Sequence, residues 1–308
     1  MVLRLALVGF GAIARNRHLP AIAATPGVEL VGVASHGETP AGVPGFPSLR
    51  QLLASGPAVD AVALCTPPQG RAALAAEALA AGKHVLLEKP PGATLSEWPP
   101  LAALAQDKGL SLFGTWHSRF APAVEASRAT LRDTRPRAVR VVWKEDVRHW
   151  HPGQAWIWEP GGMGVFDPGI NALSILTRIL PAPIALQAAE LSYPANRDAP
   201  IAARLSFADL TGTAVDAEFD WRQTGRQSWD IHLDTAGGTL LLEEGGRRLL
   251  RDGAVLAEGP DAEYEGIYAH FADLIAQGRS DLDLAPMMHV ADAFLLGRRR
   301  VVAPFDEG

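Results

Sequence analysis

A short glycine motif in a fixed setting constrains this chain more than any other feature. An apolar run over residues 3–8 leads straight into Gly9-Phe10-Gly11-Ala12-Ile13-Ala14, and a helical stretch follows over 12–24. Parallel α/β folds use this turn to approach a dinucleotide. The first glycine permits the tight turn, the second lets backbone near a pyrophosphate, and the small third residue lets helix meet strand. Gly-x-Gly-x-x-Ala alone is a weak string; its context carries the argument. Patterning predicts further strands over 29–34, 59–64, 84–87 and 110–113, alternating with helices over 48–55, 69–81 and 96–108. Such alternation predicts βαβ units and a doubly wound parallel sheet, a Rossmann domain. Residues 36–47, rich in Gly and Pro, read as loop. Thr94-Leu95-Ser96-Glu97 fits a capping box.

Beyond Trp116 the pattern changes. A helix over 122–132 is followed by strands over 138–144, 200–207, 213–221, 229–234 and 239–243, with glycine turns between several of them. Successive strands joined by short turns predict an open-faced antiparallel or mixed sheet. Stretches 264–277 and 287–299 read as closing helices. A chain of 308 residues is too long for one ordinary core. The expected division is a dinucleotide-binding domain over 1–118 and an α/β domain for substrate binding and oligomerisation over 119–308.

Bulk properties exclude several classes. A net charge of -6 leaves no basic footprint for nucleic acid. Arg298-Arg299-Arg300 reads as a solvated helix end. The lone cysteine, Cys65, has no internal disulfide partner and fits a reducing cytosol. No run approaches the ~20 apolar residues of a membrane span. The expectation is a cytoplasmic protein with no membrane and no nucleic-acid partner.

Leu87-Glu88-Lys89-Pro90-Pro91 closes the fourth apolar run. It places a lysine where a parallel strand stops, and Pro90 keeps that lysine out of helical geometry. Ligands of doubly wound sheets sit at this edge, so Lys89 is expected to face a nicotinamide. At the end of the second strand, where an acidic residue would hold the ribose of NAD, stand Ser35 and His36. Ser35 can donate to a 2′-phosphate and His36 can add charge or stack, so NADP is preferred with NAD tolerated. Ordinary loop residues, with Glu38 serving NAD, are the alternative. Further on, Gly161-Gly162-Met163-Gly164 leads to Asp167-Pro168-Gly169-Ile170-Asn171. Asp before Pro reads as a helix N-cap, and a four-residue spacing puts Asp167 and Asn171 on one helix face.

Together these three segments resemble the Gfo/Idh/MocA oxidoreductase family over essentially the whole chain. Longer strings, Trp143-Lys144-Glu145-Asp146-Val147-Arg148, Trp150-His151-Pro152-Gly153-Gln154 and Trp156-Ile157-Trp158-Glu159-Pro160, resemble its branch acting on L-arabinose and D-galactose at C1. The resemblance implies NAD(P)-dependent oxidation of an aldose, of L-arabinose, D-galactose or D-fucose type, to its aldonolactone. Expected cofactor contacts are Gly9, Gly11, Ala12, Ile13, Ser35, His36, Cys65, Thr66, Pro67, Arg71, Glu88 and Lys89. Two departures matter: the family often has histidine where Asn171 stands, and again where Arg71 stands. Asparagine cannot exchange a proton at useful pH. The proton acceptor is therefore Lys89, Asp167 or both together, with Asn171 fixing the sugar. A free lysine has a pKa of ~10.4, so serving as base near neutrality takes about 4 kcal/mol.

Four of the eight tryptophans, Trp143, Trp150, Trp156 and Trp158, lie close together among Glu145, Asp146, His149, His151 and Gln154. Sugars pair apolar faces with many hydroxyls, which suits aromatic walls with polar rims; plain core is the alternative. With the resemblance, Glu145, Trp150 and His151 become sugar contacts, joined by His117 and Trp229. No metal is expected, because His149 and His151 lack further ligands at suitable spacing. Relatives commonly pair through the sheet face, which implies a homodimer or homotetramer. Other readings are a non-catalytic regulator of this fold, a nicotinamide-dependent glycosidase, and an oxidoreductase for another polyol.

Overall fold

A computed structural model describes residues 2–307. Two compact units form: residues up to His117 with Tyr264–Asp283, and Ser118–Glu263 with the segment from Leu284 onward.

The first unit holds six strands: β1 (Leu3–Val8), β2 (Val28–Ala34), β3 (Gly45–Phe46), β4 (Ala61–Leu64), β5 (His84–Leu87) and β6 (Leu112–Gly114). Their order is β3-β2-β1-β4-β5-β6, and every pair is parallel. This is the dinucleotide-fold order, with its switch point between β1 and β4. Parallel strands covered on both faces read as unbroken apolar runs; Leu5, Ala6, Leu7 and all of β4 are fully buried. β3 arises inside the stretch read as loop, where Ser35 N–H donates to Phe46 O at 2.9 Å.

The first helix opens after the glycine turn and widens to a π turn at Ala14–His18 before Leu19–Ala24. Pro20 explains the widening: it has no N–H, and its ring would strike the carbonyl four residues back. The capping box at Thr94 and Glu97 forms as expected, with Thr94 N–H donating to Glu97 Oε2 at 3.0 Å. Edge strand β6 is covered by chain from much later. Gly114 N–H donates to Asp281 O at 3.0 Å, Asp281 N–H to Leu112 O at 3.1 Å, and Phe113 stacks on Phe271. Such cover blunts an open edge, and it draws residues 264–283 into this unit.

In the second unit nine strands form a mixed sheet: β7 (Pro136–Lys144), β8 (Ile184–Pro194), β9 (Ala202–Asp209), β10 (Ala214–Asp220), β11 (Ser228–Thr235), β12 (Gly238–Glu243), β13 (Arg248–Arg251), β14 (Ala254–Glu258) and β15 (Arg298–Val302). The order is β14-β13-β12-β11-β7-β10-β9-β8-β15, with β7/β10 and β8/β15 parallel. The arginines read as a helix end lie instead in β15. Arg298 pairs with Glu190, and the Arg299 guanidinium sits 4.1 Å from the centre of the Tyr193 ring. Helix Phe166–Ile179 packs on the sheet through Gly169, where a Cβ would come within 2.7 Å of Phe219. Asp167 is not the N-cap: Val165 holds that position and Asp167 lies one residue inside the first turn. An acid and a proline both suit a first turn, so the sequence signal was right to within two positions. No helix among the described residues is long and apolar enough to cross a membrane.

Candidate functional site

Strand register brings four loops to one edge of the first sheet. Gly9 N–H donates to Ala34 O (2.8 Å), Cys65 N–H to Val8 O (2.8 Å), Glu88 N–H to Leu64 O (3.1 Å) and Thr115 N–H to Leu87 O (2.9 Å). Gly9, Ser35, Cys65 and Glu88 therefore leave the sheet side by side at its carboxyl edge, where such folds take ligands.

The residues present fit a dinucleotide. Gly9 has φ +87°, and a Cβ there would press within 3.0 Å of Thr66. At Gly11 a Cβ would meet nothing within 4 Å. Gly11, Ala12 and Ile13 are exposed while Ala14 is buried against the sheet, so the first helix presents its free N–H groups to open space. Thr66 Oγ1 is buried with no hydrogen-bond partner among the described residues. Pro67 and His36 are exposed. Ser35 follows β2 directly, and its Oγ accepts from Gly37 N–H at 3.3 Å.

Lys89 stands one residue past Glu88, and its main chain is clamped. Arg71, 3% exposed, donates to the carbonyls of Glu88, Pro90 and Thr66. Glu88 Oε2 accepts the Lys89 N–H at 2.6 Å. Glu88 Oε1 accepts from His18 Nε2 at 3.0 Å and from the Tyr264 hydroxyl at 2.7 Å. His18 Nδ1 lies 2.6 Å from the Tyr268 hydroxyl. All four of these side chains are buried. Burial alone would raise the Glu88 pKa, yet the hydrogen bond and charge of His18 hold it well below the usual carboxylate range. Burial likewise disfavours an imidazolium at His18. The pull of Cys65 and Tyr268, with the hydrogen bond to Glu88, outweighs it and lifts His18 well above the usual histidine range. His117 stacks on Tyr264, ring centres 5.6 Å apart. Arg71 and Glu88, both expected at the cofactor, thus spend these polar atoms on the lysine's backbone.

The second unit gathers the expected sugar contacts. Asp167, 2% exposed, has Oδ2 3.3 Å from His151 Nε2. His151 Nδ1 lies 3.4 Å from Gln154 Oε1, which also accepts from Trp156 Nε1 at 3.2 Å. A carboxylate and an imidazole at this separation can share and pass a proton. Glu145, 6% exposed, accepts two indole N–H groups, from Trp221 at 3.1 Å and Trp229 at 2.9 Å. The Trp221 ring lies 5.3 Å from His151, and Trp150 meets Trp229 edge-on at 5.9 Å. Trp150 is half exposed, and its N–H reaches Gln227 at 2.6 Å. Asn171 is one turn beyond Asp167 and half-buried. Of the remaining tryptophans, Trp143 and Trp158 are core, and Trp158 N–H donates to Glu307. Sequence reasoning missed His18, Tyr264, Tyr268 and Trp221. Tyr264 and Tyr268, four apart in a stretch read as helix, were the available signal for one face.

Residues 3–115 match the model of an oxidoreductase family with an NAD-binding Rossmann fold. A galactose 1-dehydrogenase of Pseudomonas fluorescens is 48% identical over 303 residues, covering 98% of each chain. The chain belongs to the Gfo/Idh/MocA oxidoreductase family. Within that family, a crystal structure of a D-galactose-1-dehydrogenase from Rhizobium etli matches at a TM-score of 0.95 with 55% identity, over 99% of this chain and 98% of that one. A 3-ketoreductase from Actinomadura kijaniata, crystallised with NADP and TDP-benzene, matches at 0.84 with 20% identity over 98% and 100% of the chains. That second likeness shows the fold alone.

Proposed function

We propose that this Gfo/Idh/MocA oxidoreductase oxidises an aldose at C1 to its aldonolactone. D-galactose is the first substrate, with L-arabinose and D-fucose accepted, and NADP is preferred over NAD. The observation that carries the reading is the buried Glu145, held by the indole N–H groups of Trp221 and Trp229, beside the Asp167–His151 pair; acidic groups among indole rings suit a pyranose. Full-length likeness to two galactose dehydrogenases supports the same choice.

NADP, when bound, supplies the acceptor for the hydride leaving C1. Lys89 takes the C1 hydroxyl proton, its amine carried on a clamped main chain. Asp167 orients the sugar and relays that same proton onward from Lys89 to His151 Nε2, which supplies the imidazole that Asn171 does not. Asn171 donates and accepts at a sugar hydroxyl without changing charge. Glu145 accepts from sugar hydroxyls while its indole partners hold it still, and Trp150 and Trp229 give apolar walls. For cofactor choice, Ser35 and His36 are the residues that recognise a 2′-phosphate. Assembly into a homodimer or homotetramer uses the open face of the nine-stranded sheet, a concavity of about 800 Å³ beside Arg140, Glu218 and His232.

Initial rates with NADP and NAD, against D-galactose, L-arabinose, D-xylose and D-glucose, test this reading. Rapid turnover of the first two with NADP is expected. Silence with every sugar and both cofactors would turn the reading to a regulator or to another polyol. In Ser35→Asp, the kcat/KM ratio of NADP to NAD should fall by about tenfold or more; an unchanged ratio would overturn the 2′-phosphate assignment.

A further inference from the structure

Seven ionisable groups gather around His18 and Tyr264 behind Glu88, and the chemistry proposed above uses none of them directly. His18 is fully buried in the π turn of the first helix. Around it stand Glu88 from the end of β5, Tyr264 and Tyr268 from helix Glu263–Ala276, and Cys65 from the end of β4. His117 stacks on Tyr264 from beyond β6, and Arg17 lies 5.0 Å from the centre of the same ring. A buried charge pair is rarely justified by stability alone, because desolvation offsets its attraction. Its value lies in geometry. Glu88 carries two hydrogen bonds on one oxygen and turns the other to a single target, the N–H of Lys89.

We infer that His18 is a positioning residue for Lys89. Its imidazolium fixes the Glu88 carboxylate, which fixes the lysine's N–H from one side while Arg71 holds the flanking carbonyls from the other. Without His18 the carboxylate keeps the tyrosine but is free to rotate, and the peptide carrying Lys89 loses one of its restraints. Misplacing a reacting group by an ångström costs turnover rather than binding. The inference rests on the proposed role of Lys89 in proton transfer, so one arm of its test is independent of turnover.

The test compares His18→Asn with Tyr268→Phe, which removes only the hydroxyl at Nδ1 and leaves the charge pair in place. With D-galactose and NADP, His18→Asn should lower kcat by at least tenfold while KM for both substrates stays within about threefold. The primary isotope effect with C1-deuterated galactose should rise. Tyr268→Phe should move both readouts the same way by a smaller factor. Loss of folded enzyme would lower apparent kcat without changing the isotope effect. The second arm uses the four lysines of the chain: reductive ¹³C-methylation gives few signals, and Lys89→Arg assigns one of them. That signal should shift or broaden in both variants, while those of Lys83, Lys108 and Lys144 stay put. An unmoved Lys89 signal overturns the inference whatever the substrate. If the signal moves and galactose is not turned over, the substrate reading fails and the positioning role stands.

Discussion

Lys89 and Asp167 are held by opposite means. The lysine rides on main chain that Arg71, Glu88 and Thr115 fasten atom by atom, with buried charges behind them. The aspartate sits in the first turn of a helix, and His151, 3.3 Å from it, comes from an irregular segment, steadied by Gln154 and Trp156. One arrangement fixes backbone; the other fixes side chains through other side chains. Backbone restraint gives a reactive group one place to be. Linked side chains on loops can be retuned without disturbing a fold. Variants on the lysine side should therefore act on turnover, and those among the indoles on recognition.

The contrast can be tested at graded strength. Lys89→Ala should lower kcat by roughly 100- to 10,000-fold, with NADP binding by fluorescence titration nearly unchanged; turnover above a tenth of wild type would break the contrast at its strongest point. Next, Asp167→Asn should cost about 100-fold in kcat, the lower end of the range of general acid–base groups, and His151→Asn about tenfold, below that range, as suits a group that only receives the relayed proton. Equal losses would mean that the imidazole is the exchanging group. Glu145→Gln keeps the shape, but its NH2 cannot accept, so one indole hydrogen bond is lost and the other weakened; KM for the sugar should rise about tenfold, ~1.4 kcal/mol, with kcat nearly kept. A kcat effect without a KM effect would move Glu145 to the chemical side.

The smallest effect is on stability against pH. His18 is raised in the folded state, so its contribution is complete below about pH 6.5 and fades as pH rises toward its folded pKa. Glu88 is depressed, so its contribution is complete above about pH 4.3 and fades as pH falls. Thermal midpoints should peak between those values and decline by pH 8. The alkaline decline should vanish in Glu88→Gln; a decline that persists there would assign it to other groups.

Much of the fold was legible because buried parallel strands are written as apolar runs: β1 and β5 begin and end where the sequence predicts them. β8 was not legible. Its Ile184-Ala185-Leu186-Gln187-Ala188-Ala189 opening is rich in residues depleted from strands. With β8 unread, Arg298–Arg300 had no visible partner and looked like a helix end. At the candidate site, the glycine turn and Pro90 marked two of the turns that leave the carboxyl edge of the first sheet. The clamp beneath was invisible, because His18 meets Tyr268 across 250 residues and Glu88 meets Tyr264 across 176. Trp221 carried no local signal; only its indole bond to Glu145 reveals it.

Those long separations bear on how the molecule is made. A ribosome releases His18 and Glu88 long before the helix that brings Tyr264 and Tyr268 to them. Until that helix emerges, the nascent sheet has two hydroxyl partners missing and the β6 edge uncovered. The amino-terminal portion is thus a dependent piece, and a premature stop before residue 264 would leave chaperones and proteases a half-finished sheet rather than a spare nucleotide-binding module.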